Sequence, residues 1–339
     1  MTDSDQVEET AAEVPLPRIL NDRKMYSIQR VDQFRSEVAN LKHLPKAEGM
    51  CVYTTGSFGR KEASNQSDID LFFMHLGGSE TPLPNLLKTR IDAELIDLTE
   101  KLEFPPFSND GEYLSIHYLD DMKSKMGGPA DDFDNLFTAR MLLLLESDWI
   151  YNEDVYKEVI SEVIQSYYRD FHDHRDGFKP LFLTNDIVRF WKTLCLNYEH
   201  RRNRMSEDED KKLKHRIRNL KLKFSRMLTC FSTVAVLVRS DLVATPDLLA
   251  SQVLRTPMGR LDLVGGDVKG AAALVRQIQE EYCWFLEMTG RNDEEVKEWI
   301  SDKEKRDAAF ERGRKFGRDM YDLILRASED TETVRYLLV

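Results

Sequence analysis

Two short apolar runs bracket the stretch that most narrows what this chain can fold into. Gly49-Met-Cys-Val-Tyr-Thr54 leads into Gly56-Ser57, and Ser67-Asp-Ile-Asp-Leu-Phe-Phe73 follows about ten residues later. Apolar and aromatic runs this short, closed by glycine, asparagine and serine, suit β-strands. Ser57 to about Glu62 then reads as a short helix, Asn65-Gln-Ser67 as a turn, and Asp68 to His75 as a second strand. Side chains alternate along a strand, so Asp68 and Asp70 point to one face. Two carboxylates that close repel each other unless a cation lies between them.

Carboxylate oxygens are natural ligands of Mg²⁺ (or Mn²⁺), whose other positions go to water and phosphate oxygens. Gly56 lets an anion approach the backbone, and free N–H groups where a helix opens favour phosphate. Ser57 adds a hydroxyl donor. Arg60, one turn on, either reaches a phosphate or locks the loop by pairing with Glu62 or an aspartate. The pattern predicts a nucleoside triphosphate site, with Asp68 and Asp70 as metal ligands and Gly56, Ser57 and Arg60 as phosphate contacts. A P-loop is not expected, because Gly265-Gly266 lacks the Lys-Ser/Thr that such loops carry.

Around this core the chain divides into three parts. Residues 1–17 are acidic, lack aromatics and run into Pro15 and Pro17, which predicts a disordered tail. From Arg18 to about Leu41, apolar residues recur every three or four positions, as on an amphipathic helix. Pro82 and Pro84 start a second helix that runs to about Lys101. Leu102-Glu-Phe104 and Tyr113 to Leu119 read as further strands, and Met141-Leu-Leu-Leu-Leu145 as strand-sized or part of a buried helix. Beyond about Asp132 almost every segment has helical spacing. The chain is therefore expected to be α+β, with a small mixed sheet in 18–150 and an all-helical domain in 151–339.

Charge and cysteine usage limit the partners. The net charge is −12, which opposes general DNA or RNA binding. Arg201 to Arg226 nevertheless holds eleven Lys/Arg against four acids, as a solvated helix face or, the weaker reading, a polyanion dock. Four widely separated cysteines fit reduced thiols, and no run of 18 apolar residues occurs. With a polar, acidic N-terminus, these features predict a cytoplasmic protein without a signal peptide or membrane span. Phe171-His-Asp-His-Arg-Asp176 holds ligand-type side chains, but His172 and His174 would point about 200° apart on a helix. It is expected to be a polar helix end.

The segment Gly-Ser-Phe-Gly-Arg-Lys-Glu62 with Ser67-Asp-Ile-Asp-Leu71 resembles the signature of the polymerase-β-like nucleotidyltransferase superfamily. It is most similar to the branch holding bacterial protein uridylyltransferases and their relatives. Met141 to Ser147 and Lys179 to Trp191 sit where that branch has weaker matching segments. The resemblance implies an enzyme moving a nucleoside monophosphate from an NTP such as ATP to an acceptor hydroxyl on a protein, RNA end or small molecule. Two-metal catalysis would use Asp68, Asp70 and a third acid on a later strand. Glu103 fits that third place between apolar neighbours, with Asp110 and Glu112 as rivals. Lys179, Asn185 and Arg189 either contact the nucleotide or serve helix capping and structure. A second-messenger synthase or toxin-like transferase, and a non-catalytic nucleotide-binding regulatory module, are the alternatives.

Overall fold

The computed structural model describes residues 17–107, 114–173, 175, 178–203, 208–329 and 334–335. The acidic tail 1–16 and the candidate acids Asp110 and Glu112 lie outside them.

The first helix, α1 (Arg18–Val38), buries Leu20, Val31, Phe34 and Val38 at helical spacing. The chain then enters β1 (Met50–Thr55), the four-residue α2 (Gly56–Gly59) and β2 (Asp70–His75). These two strands pair antiparallel, with Thr55 opposite Asp70. Helix α3 (Asn85–Lys101) precedes β3 (Ile116–Tyr118), which runs parallel to β2. After the short α4 (Leu119–Ser124) and α5 (Pro129–Phe133), α6 (Leu136–Glu146) leads to β4 (Asp148–Tyr151), antiparallel to β1. The sheet order is β3-β2-β1-β4. This is the expected small mixed sheet.

Alternation along β1 and β2 decides what each sheet face covers. Val52, Leu71 and Phe73 join Phe34 of α1 and Leu95 of α3 in one core. Cys51, Tyr53, Phe72 and Met74 face the other way, into a larger core shared with α6 and α7 (Glu153–Tyr167). That core continues without a break through the later helices: α8 (Leu181–Asn203), α9 (Glu209–Lys221), α10 (Met227–Leu237), α11 (Pro246–Val253), α12 (Pro257–Asp267), α13 (Ala272–Thr289), α14 (Asp293–Ser301) and α15 (Lys303–Ser328). The sheet half and the helical half thus share one interior. Among the described residues, no helix is long and apolar enough to cross a membrane.

Two segments depart from the sequence-based expectation, and a third settles an open alternative. Leu102-Glu-Phe104 is not a strand. It closes α3: Glu103 turns left-handed at φ 54°, the Glu103 N–H donates to Glu100 O and the Phe104 N–H to Thr99 O. This is a Schellman cap, whose apolar flanking residue mimics strand alternation. Met141 to Leu145 belongs to the buried helix α6, the second of the two expected outcomes. Conversely, β4 was not expected, because its four residues follow a helix directly and only Ile150 is fully buried.

Candidate active site

Gly56 sits where β1 turns into α2, at φ 65°. A β-carbon there would lie 2.6 Å from Asp70 Oδ2, so only glycine lets this carboxylate lie against the turn. Gly59 is required for a different reason. Its β-carbon would come within 2.0 Å of the Glu146 carbonyl oxygen, so glycine allows α2 to pack on the end of α6. Asp68 and Asp70 line one cleft with Gly56 and Ser57, which closes the predicted constellation in space.

That cleft, about 210 Å³, lies between the two halves of the molecule. The sheet half supplies the turn and the aspartates. The opposite wall comes from Lys221, Ser225 and Arg226 at the α9–α10 junction and from Phe285, Thr289 and Arg291 around the end of α13. Arg23 of α1 also lines it while donating to Leu286 O at 3.3 Å. Burial pushes the Asp70 carboxyl up to about 6, and the neighbouring charge of Asp68 adds to the rise. A carboxylate pair that resists ionising together is the electrostatic mark of a site that suits a cation.

Behind the cleft lies a buried ion network. Arg60 donates to Glu62 Oε2 at 2.9 Å and to Glu146 Oε2 at 2.5 Å. Glu146, wholly buried, also pairs with Arg226 and accepts from Thr229 Oγ1 at 3.0 Å. Tyr282 of α13 donates to Glu62 Oε2 at 2.7 Å. Burial works to raise Glu146, yet Arg226 and Arg60 outweigh it and hold the group below its usual range. Glu62 goes the other way: burial raises it, against the lowering pull of Arg60 and Tyr282, which both act on Oε2, while Oε1 has no hydrogen-bond partner among the described residues. Arg60 therefore locks the loop, the second of its two predicted roles, and remains part of the cleft wall.

The other predicted residues lie elsewhere. Glu103 caps α3 and does not line the cleft. Lys179 donates to the carbonyls of Arg239 and Leu242 at 2.5 and 3.3 Å. Arg189 pairs with Asp132 at 2.5 Å and packs over Phe137, and Asn185 is an exposed residue within α8. None of these three lines the cleft. Helix α8 begins at Leu181, and Thr184 Oγ1 donates to Pro180 O at 2.9 Å, so Thr184 and Asn185 do not cap it. His172 lies in a single 3₁₀ turn, and His174 is outside the described residues.

Lys221, Arg226, Arg291, Arg23, Glu146 and Tyr282 were not singled out by sequence reading. The only pointer was the basic stretch 201–226, two of whose cations reach the cleft. Among the described residues, no group of three or more His, Cys, Asp or Glu side chains is arranged to hold a metal. Four acids line the cleft: Asp68 and Asp70 beside the turn, Glu62, which is taken up by Arg60 and Tyr282, and Asp293 of α14. Asp68 and Asp70 are the pair that stands next to Gly56 and Ser57. That fits Mg²⁺, which takes one or two carboxylates and completes its sphere with water and substrate phosphates. No protein-family model and no curated protein matches the chain, so the reading of this cleft rests on its own geometry.

Proposed function

We propose that the cleft performs nucleotidyl transfer from a nucleoside triphosphate to an acceptor hydroxyl. One observation carries this reading. The Asp68–Asp70 pair and the Gly56–Ser57 turn meet in one cleft, and the facing wall presents Lys221, Arg226 and Arg291. A carboxylate pair opposite cations is what a metal-bound polyphosphate needs.

In this reading Asp68 and Asp70 hold a divalent cation. Bound there, the cation would neutralise phosphate charge and lower the pKa of the attacking hydroxyl. The Gly56 turn lets the phosphates approach the backbone, Ser57 Oγ donates to a phosphate oxygen, and Arg60 fixes the loop through Glu62 and Glu146. The acceptor oxygen bonds to the α-phosphorus as the bond to the bridging oxygen of pyrophosphate breaks, and the hydroxyl proton leaves to solvent. Glu103 has no part in the proposal, since it lies outside the cleft. Asp68 and Asp70 would hold one cation; the other candidates for a third acid, Asp110 and Glu112, lie outside the described residues.

The test is pyrophosphate release from each NTP with Mg²⁺ or Mn²⁺. Asp68→Asn or Asp70→Asn is expected to lower release by about a thousandfold or more, as expected for losing preorganised transition-state electrostatics, with the cooperative melt retained. Undiminished release in both variants rejects the assignment. Nucleotide binding without any release favours the regulatory-module reading.

A further inference from the structure

Between α9 and α10 the helix widens into one π-helical turn, Leu222–Arg226. Such turns occur mostly as single bulges in α-helices and concentrate at functional sites. On a regular α-helix, Lys221 and Arg226 would point about 140° apart. A turn closed by i→i+5 bonding holds more residues per turn and so brings residues five apart closer to one face. Both side chains line the cleft, with Ser225 beside them.

The two cations differ in how they are held. Lys221 is exposed and makes no ion pair among the described residues. Arg226 is 35% exposed and gives one side of its guanidinium to the buried Glu146. Glu146 is itself fixed by Arg60 and Thr229, so the direction of Arg226 is set from inside the protein. Among the described residues its other donors make no further hydrogen bond, and the side chain lines the cleft.

We propose that this π-helical turn is a polyphosphate-binding element, in which Lys221 and Arg226 take the terminal phosphates of the donor nucleotide and Glu146 is the positioning residue for Arg226. The identity of that anion rests on the nucleotidyl-transfer reading, whereas the presence of an anion site does not. The helical half thereby holds the leaving pyrophosphate while the sheet half holds the reacting phosphorus.

Titration calorimetry of the full chain with inorganic tripolyphosphate, without divalent cations, tests this. Wild type is expected to bind. Lys221→Ala and Arg226→Ala each weaken binding about tenfold or more, the value of one charge-assisted contact. Glu146→Gln discriminates positioning from plain field effects. Removing a buried negative charge would tighten an anion if only the field mattered, but a released Arg226 weakens it. Wild type without affinity for tripolyphosphate, or Lys221→Ala binding as wild type does, overturns the proposal. Since Lys221 is exposed, its variant folds and decides the matter even if the others do not. Glu146→Gln binding more tightly overturns the positioning role. Tripolyphosphate binding lost in Lys221→Ala, with no pyrophosphate release from any nucleotide, rejects nucleotidyl transfer and leaves the anion site standing.

Discussion

Helix α6 carries two buried ion networks, one near its middle and one at its end, and the contrast between them separates architecture from chemistry. At Arg140 the guanidinium binds Asp131 through two bonds of 2.8 and 2.7 Å and donates to the Tyr167 hydroxyl at 2.7 Å. Arg140 and Asp131 are fully buried. Tyr167 passes on a 2.7 Å bond to Asp186, and Arg189 closes the outer side by pairing with both Asp186 and Asp132. Its inner members Arg140, Asp131, Tyr167 and Asp186 are buried, and only Arg189 and Asp132 at its edge meet solvent. At Glu146 the network is open: it ends in Arg226 at the cleft, and one oxygen of Glu62 has no hydrogen-bond partner. Both networks tie helices together, but only the one at Glu146 ends in a cation that lines the cleft beside the aspartates.

The sharpest way to break this contrast is to cut the closed network. Asp131→Ala strands Arg140 without its main partner. A loss of about 3–5 kcal/mol is expected, because an uncompensated buried charge is more costly than the pair was valuable. Chemical denaturation measures it, and the folded fraction should retain wild-type turnover. A loss below about 1 kcal/mol, or a change in turnover at full folding, would mean that the closed network is not purely architectural.

A smaller effect probes the open side through pH. Asp70 is raised from 3.8 to about 6, chiefly by burial and then by Asp68. The sign follows from linkage. The ionised group opposes folding above the folded-state value, and this cost fades as pH falls through about 6 toward the unfolded value. Asp70→Asn removes the cost, so without metal the variant should gain up to about 3 kcal/mol at pH near 8 and almost nothing near pH 4. Thermal melts across that range check it. A gain independent of pH would show that Asp70 is not held ionised at a cost.

The smallest effect concerns the α8 residues that sequence reading assigned to the nucleotide. Asn185 is exposed and away from the cleft, so Asn185→Ala should leave pyrophosphate release unchanged and stability within about 0.5 kcal/mol. A fall in release, measured beside the wild type, would bring α8 back to the site.

Legibility in the sequence followed distance along the chain. The β1–α2–β2 stretch could be read because its constraints are local: Asp68 and Asp70 lie two residues apart and line one cleft, although β2 begins at Asp70 and not at Asp68 as expected, and the left-handed turn at position 56 requires glycine. Amphipathic spacing gave α1 and α3 nearly to their ends. The reading failed where a local pattern had two outcomes. Leu102-Glu-Phe104 has the alternation of a strand, yet the preceding helix needed its cap there. The cluster around Asn185 resembled a helix start but lies within α8.

By itself, then, the sequence determined that this chain builds a small sheet bearing two aspartates beside a glycine turn, followed by a long helical part. Only the tertiary structure decided what faces them. Lys221, Arg226 and Arg291 are 150 residues or more beyond Asp70 in the chain. They reach it because the second sheet face and the later helices share one core. Periodicity reports which side of an element is apolar, not which distant element will cover it, and a basic residue on a helix looks the same whether it meets water or a cleft.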